Sequence, residues 1–483
     1  MKEESVGNET ATGGRMPLAR RRLLALAAAA PLLAACGEAP APRRLSQLWP
    51  EPPPNHDAAL ATAGWQGYWY ARYVGGLIAT HPALGLPANT LDPRSRAAFN
   101  AAGPQAVPVA LPFATVTVDA PATPGGLPQV RHTEAVIRVR TAALYMRLLQ
   151  ALARAHQLRA PRAPAGEARS HELWLASAYT ALAVEASERV HADLFRPRLG
   201  VLFDSDDTYD PLGNIDLIWA TADTARLALP TDPMTAARLR ATADELYAVF
   251  RVSFPRSIPE AHRMVRAQAR LQPVTGRDDF RAFIPVQQRR IAYWLRDRQP
   301  ADILEAAHAL AALIRLTPLM QTDSGVQERA GDLFLDLATS FNRDNGWLRD
   351  RSTYTAADVA ALLRALRLAA FHGQPPIERR YARDLLVTVW DSLVNRLGLM
   401  RGAPPGRAED VAQPWEQHLD DAAYRHPAVP INAVSLFARS VTRHASGEVI
   451  VDPTLETASA LELALESLWL HPTFEALSAE SAA

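Results

Sequence analysis

The chain has 483 residues, 51 basic and 51 acidic side chains, a formal net charge of zero and a single cysteine. A neutral chain lacks the cationic footprint of a nucleic-acid binder, and one cysteine excludes an internal disulfide and a thiolate metal cluster. Lys2 is the only lysine, so Schiff-base chemistry, pyridoxal phosphate attachment, a P-loop and a Ser–Lys dyad are excluded from everything after it.

Arg20-Arg21-Arg22 is followed by an apolar run from Leu23 to Ala35 and then by Cys36. A charged front, a short apolar middle and a small-residue exit describe an export signal, too short to span a bilayer comfortably. Leu33-Ala34-Ala35-Cys36 resembles the lipobox of bacterial lipoproteins. The resemblance implies diacylation of the Cys36 thiol, cleavage before it, and anchoring by several acyl chains, each buried methylene being worth about 0.8 kcal/mol. An ordinary cleaved signal is the simpler alternative. Ala19 to Leu24 resembles a twin-arginine signal, a route that carries folded proteins. Gly37 after the cysteine implies, by the same resemblance, the outer membrane and its periplasmic face. Met16 is an alternative start to Met1. Beyond Cys36 the chain has lost five basic and three acidic residues, leaving a net charge near −2.

Residues 37–55 are proline-rich, with Pro52-Pro53-Pro54, and read as a stiff tether. A helix is expected from Ala58 to Ala79. Residues 83–128 read as an irregular insertion whose strand-like run, Val107 to Val118, suggests a hairpin or flap. From His132 onward apolar residues repeat at three and four. Ile303, Leu304, Ala307, Leu310 and Ile314 are one such stripe; Val359, Leu362, Leu363, Leu366 and Ala370 are another; Leu461, Ala464, Leu465 and Leu468 are a third. Thr355 with Asp358 forms a capping-box pattern, and Asp210-Pro211, Asp232-Pro233 and Asp452-Pro453 each place a cap before proline. About a dozen helices joined by short turns result, in a single helical domain over 56–483. The fold class is all-α: helical hairpins forming an α/α toroid, with an open α-solenoid as the alternative. No strict repeat marks a tetratricopeptide or HEAT array, and long loops on one side favour the toroid.

Three loops concentrate acids, aromatics and amides. The first, Asp204 to Asp210, runs into a helix bearing Asp216, Trp219 and Asp223 on one face. An indole flanked by carboxylates is a sugar platform with acid–base groups beside it, so Asp206, Asp207 and Asp216 are the candidate catalytic residues and Trp219 a candidate for substrate binding. The bland reading is that Asp210 caps a helix and the other acids pair with arginines or a helix N-terminus. Asp204-Ser205-Asp206-Asp207-Thr208 resembles the Asp-x-Asp-Asp-Thr motif of class II terpene cyclases, implying Asp206 at the floor of a deep aromatic cavity. The alternation of Asp204, Asp206, Thr208 and Asp210 also fits a structural calcium, except that Tyr209 stands where an EF-hand loop has glycine. The second loop, Asn342 to Asp350, contains an Asn345-Gly346 turn and contributes Asp344 and Trp347. The third contributes Trp415, Glu416 and His418, followed by Asp420 and Asp421.

No His-Glu-x-x-His, Gly-x-Ser-x-Gly, Cys-x-x-Cys-His or glycine-rich dinucleotide loop is present. His308 and His372, on apolar helices, read as packed or surface histidines. The expectation is a lipid-anchored extracytoplasmic toroid that hydrolyses or binds an envelope or exported polysaccharide, as an inverting glycoside hydrolase if it is an enzyme. The resemblance to toroid glycoside hydrolases lies in architecture and acid-plus-tryptophan composition. The alternatives are a non-catalytic scaffold within an envelope protein complex and a cyclase-like enzyme on a lipid.

Overall fold

A computed structural model of the chain describes residues 53–80, 84–88, 109–119, 129–320, 323–343, 345–396, 399–401, 436–444, 446–452, 454–472 and 474. Twelve α-helices are found among these described residues. They are α1 (Asp57–Thr80), α2 (Val139–Arg159), α3 (Glu167–Leu194), α4 (Pro211–Ala228), α5 (Pro233–Phe250) and α6 (Ile258–Leu271), then α7 (Asp278–Asp297), α8 (Ile303–Leu316), α9 (Ser324–Ser340), α10 (Ala356–His372), α11 (Arg379–Val389) and α12 (Thr457–Leu468).

The even-numbered helices form an inner ring: α2 packs on α4, α4 on α6, α6 on α8, α8 on α10, α10 on α12, and α12 on α2. The odd-numbered helices stand outside it. α3 backs α2, α5 backs α4, α9 backs α8, α11 backs α10, α1 backs α12, and α7 packs against α6 and α8. The fold is therefore an all-α toroid. The open solenoid is excluded by the packing of α12 on α2.

Sequence composition sorts the two rings. α4 is enclosed on all sides and buries every residue from Gly213 to Ala225. The outer helix α5 buries one stripe, Ala236, Leu239, Ala243, Leu246, Tyr247 and Phe250 with Asp244 beside them, and turns its other face toward solvent. Helix starts follow the capping chemistry. Asp210 accepts a hydrogen bond from the Leu212 N–H, Asp232 from Thr235, and Thr355 and Asp358 close a reciprocal capping box. Each cap is worth about 1 kcal/mol. Asp452-Pro453 is the exception: Asp452 accepts from the Thr454 N–H at 2.9 Å, residues 454–456 are taken by a strand, and α12 starts at Thr457 under a Glu456 cap.

The connections differ between the two mouths of the ring. Those leaving inner helices are short: 160–166, 229–232, 272–277 and 373–378 are turns, and a 3-10 helix, Thr317–Met320, follows α8. Those entering inner helices carry all the short strands among the described residues. β1 (Gly85–Pro87) pairs with β2 (Val109–Pro112), and β3 (Thr115–Asp119) lies between β4 (Gln129–Glu134) and β14 (Thr454–Glu456). β5 (Phe195–Arg196) pairs with β6 (Val201–Leu202), β7 (Phe341–Asn342) with β8 (Trp347–Leu348), and β10 (Met400–Arg401) with β11 (Leu436–Phe437). β12 (Ser440–Arg443) is flanked by β9 (Thr353–Thr355) and β13 (Val449–Asp452). The strand-like run 107–118 is not one hairpin. It divides after Pro112, β2 turning back to β1 and β3 joining the C-terminal β14.

The seam between α1 and α12 depends on absent side chains. A Cβ at Gly67 would run into the Ser467 carbonyl, and one at Gly64 into the His471 backbone. Rigid backbone cannot yield as a flexible side chain can. Gly67→Ala should therefore destabilise the protein by about 1–3 kcal/mol, read as a lower urea midpoint, and an unchanged midpoint would contradict this close approach.

Candidate functional site

The loop-bearing mouth and the lumen below it hold the chemistry. The acidic loop is wired to the start of α2. Asp204 is buried and accepts from the Val139 N–H at 2.7 Å and from Arg138 at 3.0 Å, while the Ser205 hydroxyl accepts from the Ile137 N–H at 2.9 Å. Burial raises the Asp204 pKa even against those two donors. Asp206 accepts from the same Arg138 guanidinium at 3.0 Å. Desolvation is the largest single influence on its carboxyl and acts upward, but hydrogen bonds from Thr208 and the charge of Arg138 together outweigh it and hold the group below the usual range. Asp207 is paired with Arg196 at 2.8 Å, yet its side chain is 80 % exposed. It is also the only non-glycine residue among those described with a left-handed backbone, at φ 60°. Asp tolerates that region better than most residues, so the local cost is modest. Asp210 is the α4 cap, and Asn214 bonds both backbone groups of Leu202 at 2.9 Å, tying α4 to β6.

This arrangement revises three expectations. Asp204 and Asp206 share an arginine cation and Asp210 is spent on a helix, so the loop does not converge on a calcium. Among the described residues no cluster of three or more His, Cys, Asp or Glu could hold a metal. Asp206 lies on the mouth at an Arg138 ion pair rather than at the floor of an aromatic cavity, which is not the placement a cyclase acid needs. Trp219 is not an open sugar platform. It is buried between Arg147, 3.4 Å from its ring centroid, and Arg266, at 4.0 Å on the same ring system. Asp216 is buried against Arg263, and Asp223 is gripped by Arg154 at 2.8 and 3.1 Å with Arg270 at 3.8 Å.

The second loop forms the expected turn. Gly346 adopts φ 68°, its N–H donates to Asn342 O at 2.7 Å, and the Trp347 N–H donates to Asn345 Oδ1 at 3.1 Å. The Arg443 guanidinium of β12 lies 3.7 Å from the Trp347 ring centroid. Asp206, Asp207 and Trp347 thus stand on loops that feed α4 and α10, at one mouth and on opposite sides of the ring. Asp344, Trp415, Glu416 and His418 lie outside the described residues, as does Cys36.

The dominant feature of the lumen is one that sequence reading missed. Arg364 reaches Glu462 at 2.6 Å and Glu466 at 2.7 Å. Arg367 reaches Glu466 at 3.1 Å, Arg140 reaches Glu462 at 2.9 Å, and Arg266 approaches Glu466 at 3.8 Å. On the far side, the Nδ1 atoms of His262 and His308 are 3.4 Å apart, and Arg315 lies 3.3 Å from His262 Nε2. Five of the six inner helices contribute these groups, and α4 joins them through Asp216 on Arg263. Burial would raise the Glu466 carboxyl, but Arg364 and Arg367 hold it at about 2. Burial pushes Arg263 down to about 9 and His308 down to about 3, the neighbouring arginines adding to the effect on the histidine. The signal was available: Arg263, Arg266 and Arg270 on α6, Arg364 and Arg367 on α10, and Glu462 and Glu466 on α12 all recur at three or four. Charge with that spacing on a fully enclosed helix points inward.

No known family model matches the chain, and no curated protein matches it in sequence. Among solved structures, a metagenome-derived glycoside hydrolase family 9 endoglucanase is similar over 84% of this chain and 81% of that one, at 13% identity and a TM-score of 0.41. The toroid assignment rests on the closed inner ring rather than on this likeness.

The buried histidines set the pH response. Burial holds His156 at about 4 in the folded chain, although Glu172 accepts from it at 2.7 Å, and His308 at about 3, against an ordinary 6.5. The unfolded chain therefore takes up protons first as pH falls. Melting temperature should decline as pH drops from about 6.5 toward about 4, and decline further as the unfolded glutamates protonate while Glu466 does not. Thermal melts across that range check this, and a flat profile would show these histidines to be protonated in the fold.

Proposed function

We propose that the protein acts on a polysaccharide of the cell envelope or an exported one, with the loop-bearing mouth as its working face. One observation carries the reading: every described strand and long connection is gathered at the mouth where inner helices begin, while the described residues of the opposite mouth form turns and one short 3-10 helix. A compact helical ring gains no stability from that asymmetry, and long shaped loops on a rigid frame are where binding and catalytic groups are usually placed. The rim groups suit a sugar: the exposed Asp207 carboxylate, Asp206, and the Trp347 ring under Arg443. In this reading Asp207 is the base that takes a proton from the attacking water in an inverting hydrolysis, a second carboxylic acid of the loops gives a proton to the leaving glycosidic oxygen, and Asp216 and Trp219 are structural supports below them. Lipidation of Cys36 and export carry the ring to the periplasmic side of the envelope, where such a polymer is found. This last part of the proposal stands on the leader sequence.

A second reading, a glycan-binding or scaffold lipoprotein without turnover, is favoured by a separate observation. Asp216, Asp223, Glu462 and Glu466 are all engaged by arginines, and a general acid needs a raised pKa rather than a lowered one.

The test is an oligosaccharide panel assayed both for new reducing ends and for binding. Asp207→Asn should reduce turnover by about 100-fold or more with an unchanged melting temperature, because its side chain is exposed. Asp216→Asn should do the reverse, costing about 3–5 kcal/mol by leaving Arg263 buried without its partner. Binding without any turnover selects the second reading, and neither binding nor turnover on the panel counts against both.

A further inference from the structure

We propose that His308 is the hydrogen-bond donor that the lumen offers to an uncharged sugar oxygen, its imidazole fixed as the Nε2–H tautomer by His262 and Arg315. The ligand in this proposal rests on the polysaccharide reading above; the tautomer does not. His308 is the sixth residue of α8 and His262 the fifth of α6. Both helices begin at the loop-bearing mouth, so the pair sits within two turns of it. His262 is fully buried, whereas His308 keeps part of its surface exposed. Its ring faces inward onto His262, with centroids 5.2 Å apart, so what remains exposed opens on the lumen below that mouth.

The tautomer follows from what each atom can do. A guanidinium has donors only, so Arg315, whose Nη1 lies 3.3 Å from His262 Nε2, makes that nitrogen an acceptor. A neutral imidazole carries one proton, which then sits on His262 Nδ1. The two Nδ1 atoms are 3.4 Å apart; His262 donates across that gap and His308 Nδ1 accepts. The proton of His308 is thereby left on Nε2, the far nitrogen of its ring. Both rings are neutral, because burial first, and Arg364 and Arg266 after it, push their protonation well below the ordinary value. Among the described residues, Nε2 of His308 has no partner. A donor held at the edge of a lumen with no acceptor of its own is a site for one from outside.

That donor also selects its ligand. This tautomer has no lone pair at Nε2, so a metal cation is refused. The cations beside it are already matched: Arg364 bonds Glu462 at 2.6 Å, and Arg263 bonds Asp216. An arriving group therefore meets a neutral N–H, which suits a hydroxyl, ring or glycosidic oxygen. The same proton bars His308 from acting as a base, so it positions the sugar while the rim carboxylates carry out the proton transfers.

Long-range proton–nitrogen NMR spectra of the full chain read the tautomer directly, with His308→Gln identifying the resonance. Nε2–H with an unprotonated Nδ1 should persist from about pH 8 to about pH 5. The opposite tautomer, or an imidazolium in that range, would overturn the proposal. Saturation with an oligosaccharide that binds the wild-type protein should shift the His308 Nε2 resonance. His308→Phe should weaken that binding by about 10-fold, and His308→Gln, which restores an N–H at the same reach, by less than about threefold. Should His308→Phe fail to fold, the resonance shift decides. Unchanged affinity in His308→Phe with an unmoved resonance overturns the proposal and leaves the polysaccharide reading standing. Absence of wild-type binding to every oligosaccharide overturns both.

Discussion

Arg364 lies between Glu462 and Glu466 with its guanidinium fully enclosed, and this contact joins α10 to α12 across the last interface of the ring. A toroid differs from an open row of hairpins only at the next seam, where α12 meets α2. There Arg140 takes the other oxygen of Glu462. Two carboxylates on one helix are thus shared by arginines from both neighbours. Ion pairs in a low-dielectric interior are weak evidence for stability, because desolvation offsets most of the attraction. Their stronger effect is on specificity: once buried, Glu462 and Glu466 are satisfied in one arrangement of helices, and any slipped ring leaves a charge unpaired. Burial first, and the guanidinium groups of the lumen after it, hold His262 and His308 neutral.

That lumen also limits what the protein can do. Its described carboxylates are engaged, its indole is clasped by arginines, and the cavity beside Trp219 has room for about one water molecule. The proposed action on a polymer is therefore assigned to the rim, where Asp206, Asp207 and Trp347 stand on loops held by backbone and cap hydrogen bonds. The division of labour is physical. Helices supply a rigid ring through apolar burial, the ionic web fixes its closure, and the connections at one mouth are left to vary in length and carry exposed groups.

Much of the frame was legible from sequence because helix signals are local. Apolar spacing of three and four located the helices, Asp210-Pro211 and Asp232-Pro233 marked two starts, and Thr355 with Asp358 marked a third. Asp452-Pro453 misled because its neighbours pair with β3, more than 300 residues earlier in the chain, and a long-range strand overrides a local cap. The site was legible in part. The acidic loop and the Asn345-Gly346 turn stand where their composition placed them, but the partners of Asp216, Trp219 and Asp223 come from α2 and α6. Sequence spacing shows which residues share a helical face. It does not show what the facing helix presents, and here that was arginine.

The account turns on the lumen web as the constraint that fixes the closed ring. A double-mutant cycle on Arg364→Met and Glu466→Met, followed by denaturant unfolding, measures it directly. Each single change should be severely destabilising, and the pair together should lose less than the two added, with a coupling of about 2–3 kcal/mol. Additive losses with coupling near zero would mean that apolar packing alone closes the ring and that the web is incidental to it.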